Sequence, residues 1–421
     1  MADAIHQIVK GLTDNAADGT GIVEVEKLTS QLLPPGTEIP QYLIDYVQDQ
    51  QWAQFGSYPD SKDIAPSAIF TALFAIISLL YLGIFIKNIT IGHKFYVTGL
   101  CFLYATMRWL GFALRIVWAK DILKVHTGIA SEVLLVLPTI LLSSINCILA
   151  QRLFTWKHPV LGNNKFFWNI MLLIYAVVVA VFIMTVVASA VPYLYLLSRS
   201  NYNMCRNVVK VSSLLIVLYS LLAFIFLGIA YIFPTGEREK DALVYQPFWV
   251  KSFSPFYFPA KGANKHGQDL FLNRHKGDSR TAMRTIPGGN LTTINYEAQT
   301  EEEELERYEA AGTKIFELKH NMSIVLITVT TVFVFVGALL RCICMFIDTT
   351  FADQGDIFAP SVMYVFFGAL EVITSALYIF GRIDLRFYRP DAISKKCLAA
   401  FENNSQSSEL DNKETSTASS V

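Results

Sequence analysis

The sequence predicts an all-α, polytopic membrane protein with seven transmembrane helices. Hydrophobic residues make up 53% of the 421-residue chain and charged residues only 16%, whereas about a quarter of the residues in soluble domains are charged. Seven apolar runs each have close to the roughly 20 residues with which a helix crosses a bilayer. Lysine and arginine are concentrated in alternate connections between these runs, a pattern that is typical of multi-pass membrane proteins.

The apolar runs divide the chain into five segments. Residues 1–66 are polar and acidic, with two short pieces at helical spacing, and are predicted to form an extracytosolic tail with short amphipathic helices. Residues 234–321 form a long cytosolic loop, and residues 391–421 form a disordered cytosolic tail with too little apolar surface to fold. Segments 67–233 (spans one to five) and 322–390 (spans six and seven) hold the predicted spans 67–86, 94–118, 129–151, 166–191, 208–233, 322–347 and 361–381.

Charge asymmetry between the connections predicts the orientation of the chain. Connections 87–94 and 152–165 contain lysine or arginine, as do the long loop and the segment after residue 381. Connection 348–360 contains neither and has three aspartates, whereas connections 119–128 and 192–207 hold two basic residues each and weaken the asymmetry slightly. Because basic connections remain on the cytosolic side of a membrane, we expect the N-terminus outside and the C-terminus in the cytosol.

Span two carries two arginines, Arg108 and Arg115, although a charge near the bilayer centre costs roughly 2.5–3.5 kcal/mol on insertion scales. Seven residues are close to two helical turns, so both arginines lie on nearly the same face of the helix. That face is expected to meet partners inside the protein. At a rise of about 1.5 Å per residue, Arg108 and Glu371 fall near the middle of the membrane, and Arg115, Arg341 and Glu132 fall in an outer layer.

Three interpretations of this intramembrane charged cluster remain open. The charges could fix the packing of the helices, line a cavity that binds an anionic or zwitterionic head group, or sense voltage or protons. Two outer arginines against one glutamate favour a negatively charged ligand. The pattern G-x-x-L-R at 111–115 recurs at 337–341, which suggests two parallel repeats of three spans joined by span four.

Four stretches of the sequence resemble a known family. They are residues 107–118 (MRWLGFALRIVW), 145–162 (INCILAQRLFTWKHPVLG), 337–343 (GALLRCI) and 371–391 (EVITSALYIFGRIDLRFYRPD). They look like a fungal family of seven-span proteins with no established function and, more distantly, are similar to the fungal RTA-like lipid-translocating exporters. The resemblance covers spans two to seven. It implies a fungal membrane protein that handles lipid or stress, and it implies no catalytic residue.

Several classes of protein are disfavoured by what the sequence lacks. No histidine falls inside a predicted span, so the His and acid ligands of zinc-dependent seven-span hydrolases are missing, and span seven has no lysine for a retinal Schiff base. A net charge of −1 indicates no nucleic-acid partner. We therefore expect no enzymatic activity and no cofactor. Cys397 follows two lysines just beyond span seven, a position suited to palmitoylation.

Two classes of function survive at this point. The first is a transporter or lipid-translocating protein whose charged layers line a cavity open to membrane lipid. The second is a non-enzymatic receptor or scaffold whose charged layers only pack, and which signals through its cytosolic loop and tail. A wet space between spans two, three, six and seven favours the first class, and a dry, fully paired core favours the second. The oligomeric state and the particular cellular membrane are left open.

Overall fold

A computed structural model of the protein describes residues 15–32, 39–162, 164–234 and 322–388, together with residues 7, 10, 11, 13, 34, 258, 259, 261 and 262. Within these residues, seven helices are long and apolar enough to cross a membrane. They confirm the predicted number of spans and support an integral, multi-pass membrane protein. Spans one to seven are Ser61–Ile91, Val97–Lys120, Val125–Lys157, Lys165–Leu194, Arg199–Ile232, Met322–Phe346 and Pro360–Phe380. Cys397, the predicted palmitoylation site, lies outside the described residues.

Spans one, three, four and five are longer than the apolar runs from which they were predicted, whereas spans two, six and seven are within one residue of the predicted length. Span five begins at Arg199 rather than at residue 208. Its start is capped by the Ser198 side chain, which accepts a hydrogen bond from the backbone N–H of Asn201 at 3.4 Å. Hydropathy detects the part of a helix that matches the hydrocarbon layer, so polar turns that continue the helix beyond it are missed.

Span one begins with a capping box that fixes an acidic side chain at the end of the bundle. The Asp60 carboxylate accepts from the backbone N–H groups of Lys62 and Asp63, at 2.8 and 3.2 Å. The Asp63 carboxylate in turn accepts from the backbone N–H of Asp60 at 3.3 Å. Such reciprocal bonds satisfy the amide groups that a helix leaves unpaired at its start. As a result Asp63 is held at the first turn, where it is 3% exposed.

Two irregular turns lie at similar depth in the bundle. Span three contains Pro138, which removes one hydrogen bond from the helix backbone. Span seven contains a π-helical turn, Tyr364–Ala369, that ends two residues before Glu371. π-turns in α-helices are frequent at functional sites. The π-turn and the turn at Pro138 both lie next to the side chains between spans two, three and seven.

The N-terminal region is attached to one end of the bundle, which we call the outer end after the predicted orientation. Two short helices, Ile22–Leu32 and Gln41–Asp49, lead into residues 51–58, which we call the outer segment. Trp52 in this segment forms an antiparallel bridge with Thr350, in the connection between spans six and seven. Backbone hydrogen bonds of 2.7 and 3.1 Å flank the bridge. The outer segment therefore lies across the ends of the spans.

The orientation stays a prediction, and the two ends of span one can test it. Lys62 and Lys94 are both exposed and lie beyond opposite ends of the apolar part of this helix. With Cys205 and Cys397 replaced by Ser, Lys62→Cys should react with a membrane-impermeant maleimide in intact cells, whereas Lys94→Cys should react only after permeabilisation. The other described cysteines are buried. If only Lys94→Cys is labelled in intact cells, the predicted orientation is wrong and the N-terminus lies in the cytosol.

Candidate functional site

The structure brings the two mid-membrane charges into direct contact. Arg108 is fully buried, and its Nε donates to Glu371 Oε2 at 2.8 Å while its Nη2 pairs with Glu371 Oε1. This two-pronged geometry suits a planar guanidinium and a carboxylate. The Tyr104 hydroxyl also donates to Glu371 Oε2, at 2.8 Å. Arg108 and Glu371 thus form one buried ion pair that joins spans two and seven.

The remaining donors of Arg108 are used by span three. Its Nη1 donates to the backbone oxygen of Leu135, in the turn before Pro138, and its Nη2 donates to Thr139 Oγ1 at 3.3 Å. The guanidinium also lies 4.8 Å from the centre of the Phe367 ring, in the π-turn of span seven. A guanidinium with partners on every side can be accommodated away from water. The mid-membrane pair therefore has the contacts of a packing centre.

A second polar contact lies beyond this pair towards the other end of the bundle. The Asn146 side-chain oxygen accepts from the Tyr378 hydroxyl at 2.5 Å and from Thr330 Oγ1 at 3.0 Å. All three side chains are buried. Spans three, six and seven are thus joined by hydrogen bonds as well as by apolar contact.

In the outer layer, Arg115 is held by partners that the sequence did not reveal. Its Nη2 donates to the backbone oxygens of Gly56 and Ser57, at 2.6 and 3.1 Å, and lies 3.2 Å from Asp63 Oδ2. Its Nη1 lies 3.3 Å from Glu132 Oε1. Arg115 therefore joins the outer segment to spans one and three.

Asp63 is the charged residue that the sequence interpretation missed. It lies before the predicted start of span one, within residues that were assigned to the tail. The available signal was the Asp60-x-x-Asp63 spacing directly before an apolar run, which is typical of a capped helix start. With Asp63 included, the outer layer holds two arginines and two acids instead of two arginines and one acid.

Arg341 differs from the other intramembrane arginines because no described side chain neutralises it by direct contact. Its residue exposure is 8%, and within the described ranges it forms no hydrogen bond or ion pair. Arg341 and Glu132, which the sequence places in the same outer layer, are not in direct contact, although the Glu132 charge acts on the guanidinium through space. Both residues face the same cavity.

The outer cavity has a volume of about 170 Å³ and lies among spans three to seven, below the outer segment. Its walls are mainly aliphatic and aromatic, with Glu132 and Arg341 as charged groups inside the layer of spans. A second, smaller cavity of about 100 Å³ lies between the N-terminal helices and the outer ends of spans two and three. Glu132 lines both cavities. This arrangement can hold an apolar molecule that carries a charged group.

Polar contacts lie at the outer end of the outer cavity. The guanidinium of Arg206, in span five, stacks on the Trp52 ring at 3.1 Å from its centre and pairs with Asp348, to which Lys210 also binds at 2.8 Å. Partial burial acts to raise the pKa of Asp348, but the hydrogen bond from Lys210 and the charge of Arg206 outweigh it and hold that pKa below its usual range. The outer segment is therefore held to span five partly by electrostatic contacts.

At the opposite end of the bundle, a buried carboxylate joins the end of span one to the segment after span seven. Asp384 accepts from Arg382 Nε and Nη2 at 2.9 and 2.8 Å and from Asn88 Nδ2 at 2.9 Å. Burial acts to raise its pKa, but the bonds and charge of Arg382 hold the pKa of Asp384 below its usual range. This cluster contains the R-x-D portion of the 371–391 stretch and fixes the segment after span seven to span one.

A family comparison identifies the chain. Residues 159–388 match the model of a family described as a protein of unknown function (DUF3112). The chain belongs to the DUF3112 family. No curated protein and no solved structure matches it significantly.

The DUF3112 match covers spans four to seven and the long connection between spans five and six. It includes Arg341 and Glu371, whereas Arg108, Arg115 and Glu132 lie before it. The predicted membership in a family of unknown function is confirmed, while the fungal origin and the similarity to RTA-like exporters stay predictions. Among the described residues of this DUF3112 protein, no group of three His, Cys, Asp or Glu side chains could hold a metal ion.

Proposed function

We propose that this DUF3112 protein binds an amphiphilic membrane lipid in its outer cavity and moves it across the membrane. The observation that carries the proposal is Arg341, a buried guanidinium that faces a mainly apolar cavity without a direct counter-charge from the described residues. An ionised group held away from water without a partner is unfavourable. The head group of a bound lipid would supply that partner.

The contrast with the other arginines supports a ligand role for Arg341. Arg108 and Arg115 each contact a carboxylate and backbone oxygens. Interactions of this kind explain why a charge can be retained in a membrane helix without any ligand. Arg341 has no such set, and the walls around it are suited to hydrocarbon. The similarity to RTA-like lipid-translocating exporters stays a prediction, and a lipid as the bound molecule would agree with it.

A receptor or scaffold is the second candidate, and one observation favours it. The Arg108–Glu371 pair closes the middle of the bundle, with Tyr104 and Thr139 completing its contacts. Charges that are buried and paired in this way provide no open polar path at that depth among the described residues. In a receptor, a lipid in the outer cavity would act as a bound signal and would not cross the membrane.

A lipid-translocation assay can separate these two functions. The purified protein is reconstituted into vesicles with fluorescent phosphatidylcholine or phosphatidylglycerol, and the fraction protected from an impermeant quencher is followed over time. We expect translocation by the wild type and a loss of at least about tenfold in Arg341→Lys, because lysine lacks the planar fork that binds a head group through two parallel bonds.

The matched control is Arg199→Lys at the exposed start of span five, which should retain wild-type translocation. Thermal unfolding in detergent should show that both variants fold. The receptor would be favoured if the wild-type protein binds lipid but vesicles that contain it translocate lipid no faster than protein-free vesicles. Full translocation activity in Arg341→Lys would show that the guanidinium of Arg341 does not recognise the lipid.

A further inference from the structure

The charge balance of the outer layer restricts the class of head group. Arg115 and Arg341 carry two positive charges, and Asp63 and Glu132 carry two negative charges. All four lie within the spans. Arg206 and Lys210, which also lie in span five, pair with Asp348 and form a separate group at the contact with Trp52. Their side chains are 17% and 20% exposed and that of Asp348 is 54% exposed, so water reaches this group. Because the four inner charges already sum to zero, a ligand with a net negative charge would leave an excess charge in the membrane layer. A zwitterion would not.

Glu132 offers a place for the positive part of such a head group. Its Oε1 is 3.3 Å from Arg115 Nη1, whereas its Oε2 accepts no hydrogen bond within the part of the chain that the structure describes. The Glu132 side chain keeps 24% of its surface accessible, and it faces the two outer cavities. Oε1 is therefore paired with Arg115, and Oε2 is available to a bound cation.

Aromatic rings lie in the wall that Glu132 and Arg341 share. They are Trp52, Phe55, Phe182, Tyr193, Tyr202 and Phe367. The faces of aromatic rings attract cations, and ring-lined cavities are used in proteins to bind quaternary ammonium groups. A carboxylate next to such rings indicates a site for a bulky, weakly hydrated cation better than a site for a small metal ion.

We infer that the lipid bound in the outer cavity has a zwitterionic head group of the phosphocholine class. Its phosphodiester pairs with Arg341 on span six, and its quaternary ammonium pairs with Glu132 on span three and with the aromatic wall. The inference rests on the proposed function, because it assumes that the cavity binds a lipid. It replaces the preference for an anionic ligand that the sequence alone favours with a preference for a ligand of zero net charge.

Three short-chain probes test this assignment on the full-length protein in detergent, with binding measured by intrinsic tryptophan fluorescence. The probes are dihexanoyl phosphatidylcholine, dihexanoyl phosphatidylglycerol and dihexanoylglycerol. We expect the wild type to bind phosphatidylcholine at least about tenfold more tightly than the other two, because only this probe has both charges. Arg341→Gln should weaken the binding of both phospholipids.

Glu132→Gln separates recognition from structure. It should weaken phosphatidylcholine binding about tenfold while phosphatidylglycerol binding is unchanged or tighter, because only the choline cation uses the carboxylate. A purely structural role would lower both affinities equally, and that result would overturn the inference. Asp356→Asn, at an exposed acid outside the cavity, should leave all affinities unchanged.

The outcomes also distinguish this inference from the function on which it rests. Tighter binding of phosphatidylglycerol than of phosphatidylcholine by the wild type would overturn the zwitterionic class and leave a lipid-binding cavity standing. Equal affinity for the two would do the same. Binding of none of the three probes by folded wild-type protein would overturn the lipid-binding function itself.

Discussion

Glu371→Gln is expected to lower the free energy of unfolding by about 3–5 kcal/mol, because it leaves the buried Arg108 guanidinium without its counter-charge. Arg108 is fully buried, and both oxygens of Glu371 contact it. Gln keeps the size of the side chain and one acceptor oxygen, so the change isolates the charge. Unfolding of the detergent-solubilised protein by heat or denaturant measures the loss.

A double-mutant cycle provides the decisive comparison. Arg108→Met combined with Glu371→Gln removes both charges and should be less destabilising than Glu371→Gln alone, because replacing both partners of a buried pair is often close to neutral. Asp348→Asn is the matched control, since it breaks an ion pair whose acid is 54% exposed. Its expected cost is below about 1 kcal/mol. Additive single changes, with coupling below about 0.5 kcal/mol, would mean that Arg108 and Glu371 act independently.

Arg115→Met should also cost about 3–5 kcal/mol, since it leaves two acids and two backbone oxygens without their common donor. The acids are Asp63 and Glu132, and the oxygens belong to Gly56 and Ser57. Beyond stability, the outer segment should loosen. A cysteine placed at Ser57, which is 5% exposed in the wild type, should then react faster with a soluble maleimide.

Two milder changes serve as controls for Arg115. Asp63→Asn and Glu132→Gln each remove one acid and leave Arg115 paired with the other, so each should destabilise less than Arg115→Met. Unchanged reactivity at position 57 in Arg115→Met, despite a loss of stability, would contradict the role of this arginine in holding the outer segment. Greater destabilisation by Asp63→Asn than by Arg115→Met would mean that the capping of span one, and not Arg115, stabilises this end of the bundle.

The seven helices and the proximity of Arg108 to Glu371 follow from strong physical constraints on the sequence. Apolar length sets the number of spans, and a charge in a membrane helix requires a partner at matched depth. Helix ends are less constrained because amide groups there are satisfied by local side chains such as Ser198 and Asp60. This is why spans one, three, four and five are longer than the apolar runs, and why Asp63 was assigned to the tail.

The outer cavity could not be predicted because it depends on how the helices rotate and where they leave space. Depth placed Arg341 and Glu132 in one layer, but depth does not show whether two side chains touch or face a gap. The partners of Arg115 were hidden for a different reason. Two of them are backbone oxygens of Gly56 and Ser57, and every residue has a backbone oxygen, so no sequence pattern marks them.

The order in which the chain is synthesised gives the Arg108–Glu371 pair a consequence for biogenesis. The acidic partners of Arg115 are 52 and 17 residues away from it, whereas Glu371 lies 263 residues after Arg108. At a translation rate of about 5–20 residues per second, the nascent chain carries Arg108 for about 13 to 53 s before Glu371 is made. During this interval span two can stay near the translocon, where water or lipid head groups contact Arg108. We expect nascent chains that end before span seven to keep Arg108 without Glu371, a state that membrane quality control can distinguish from the finished protein.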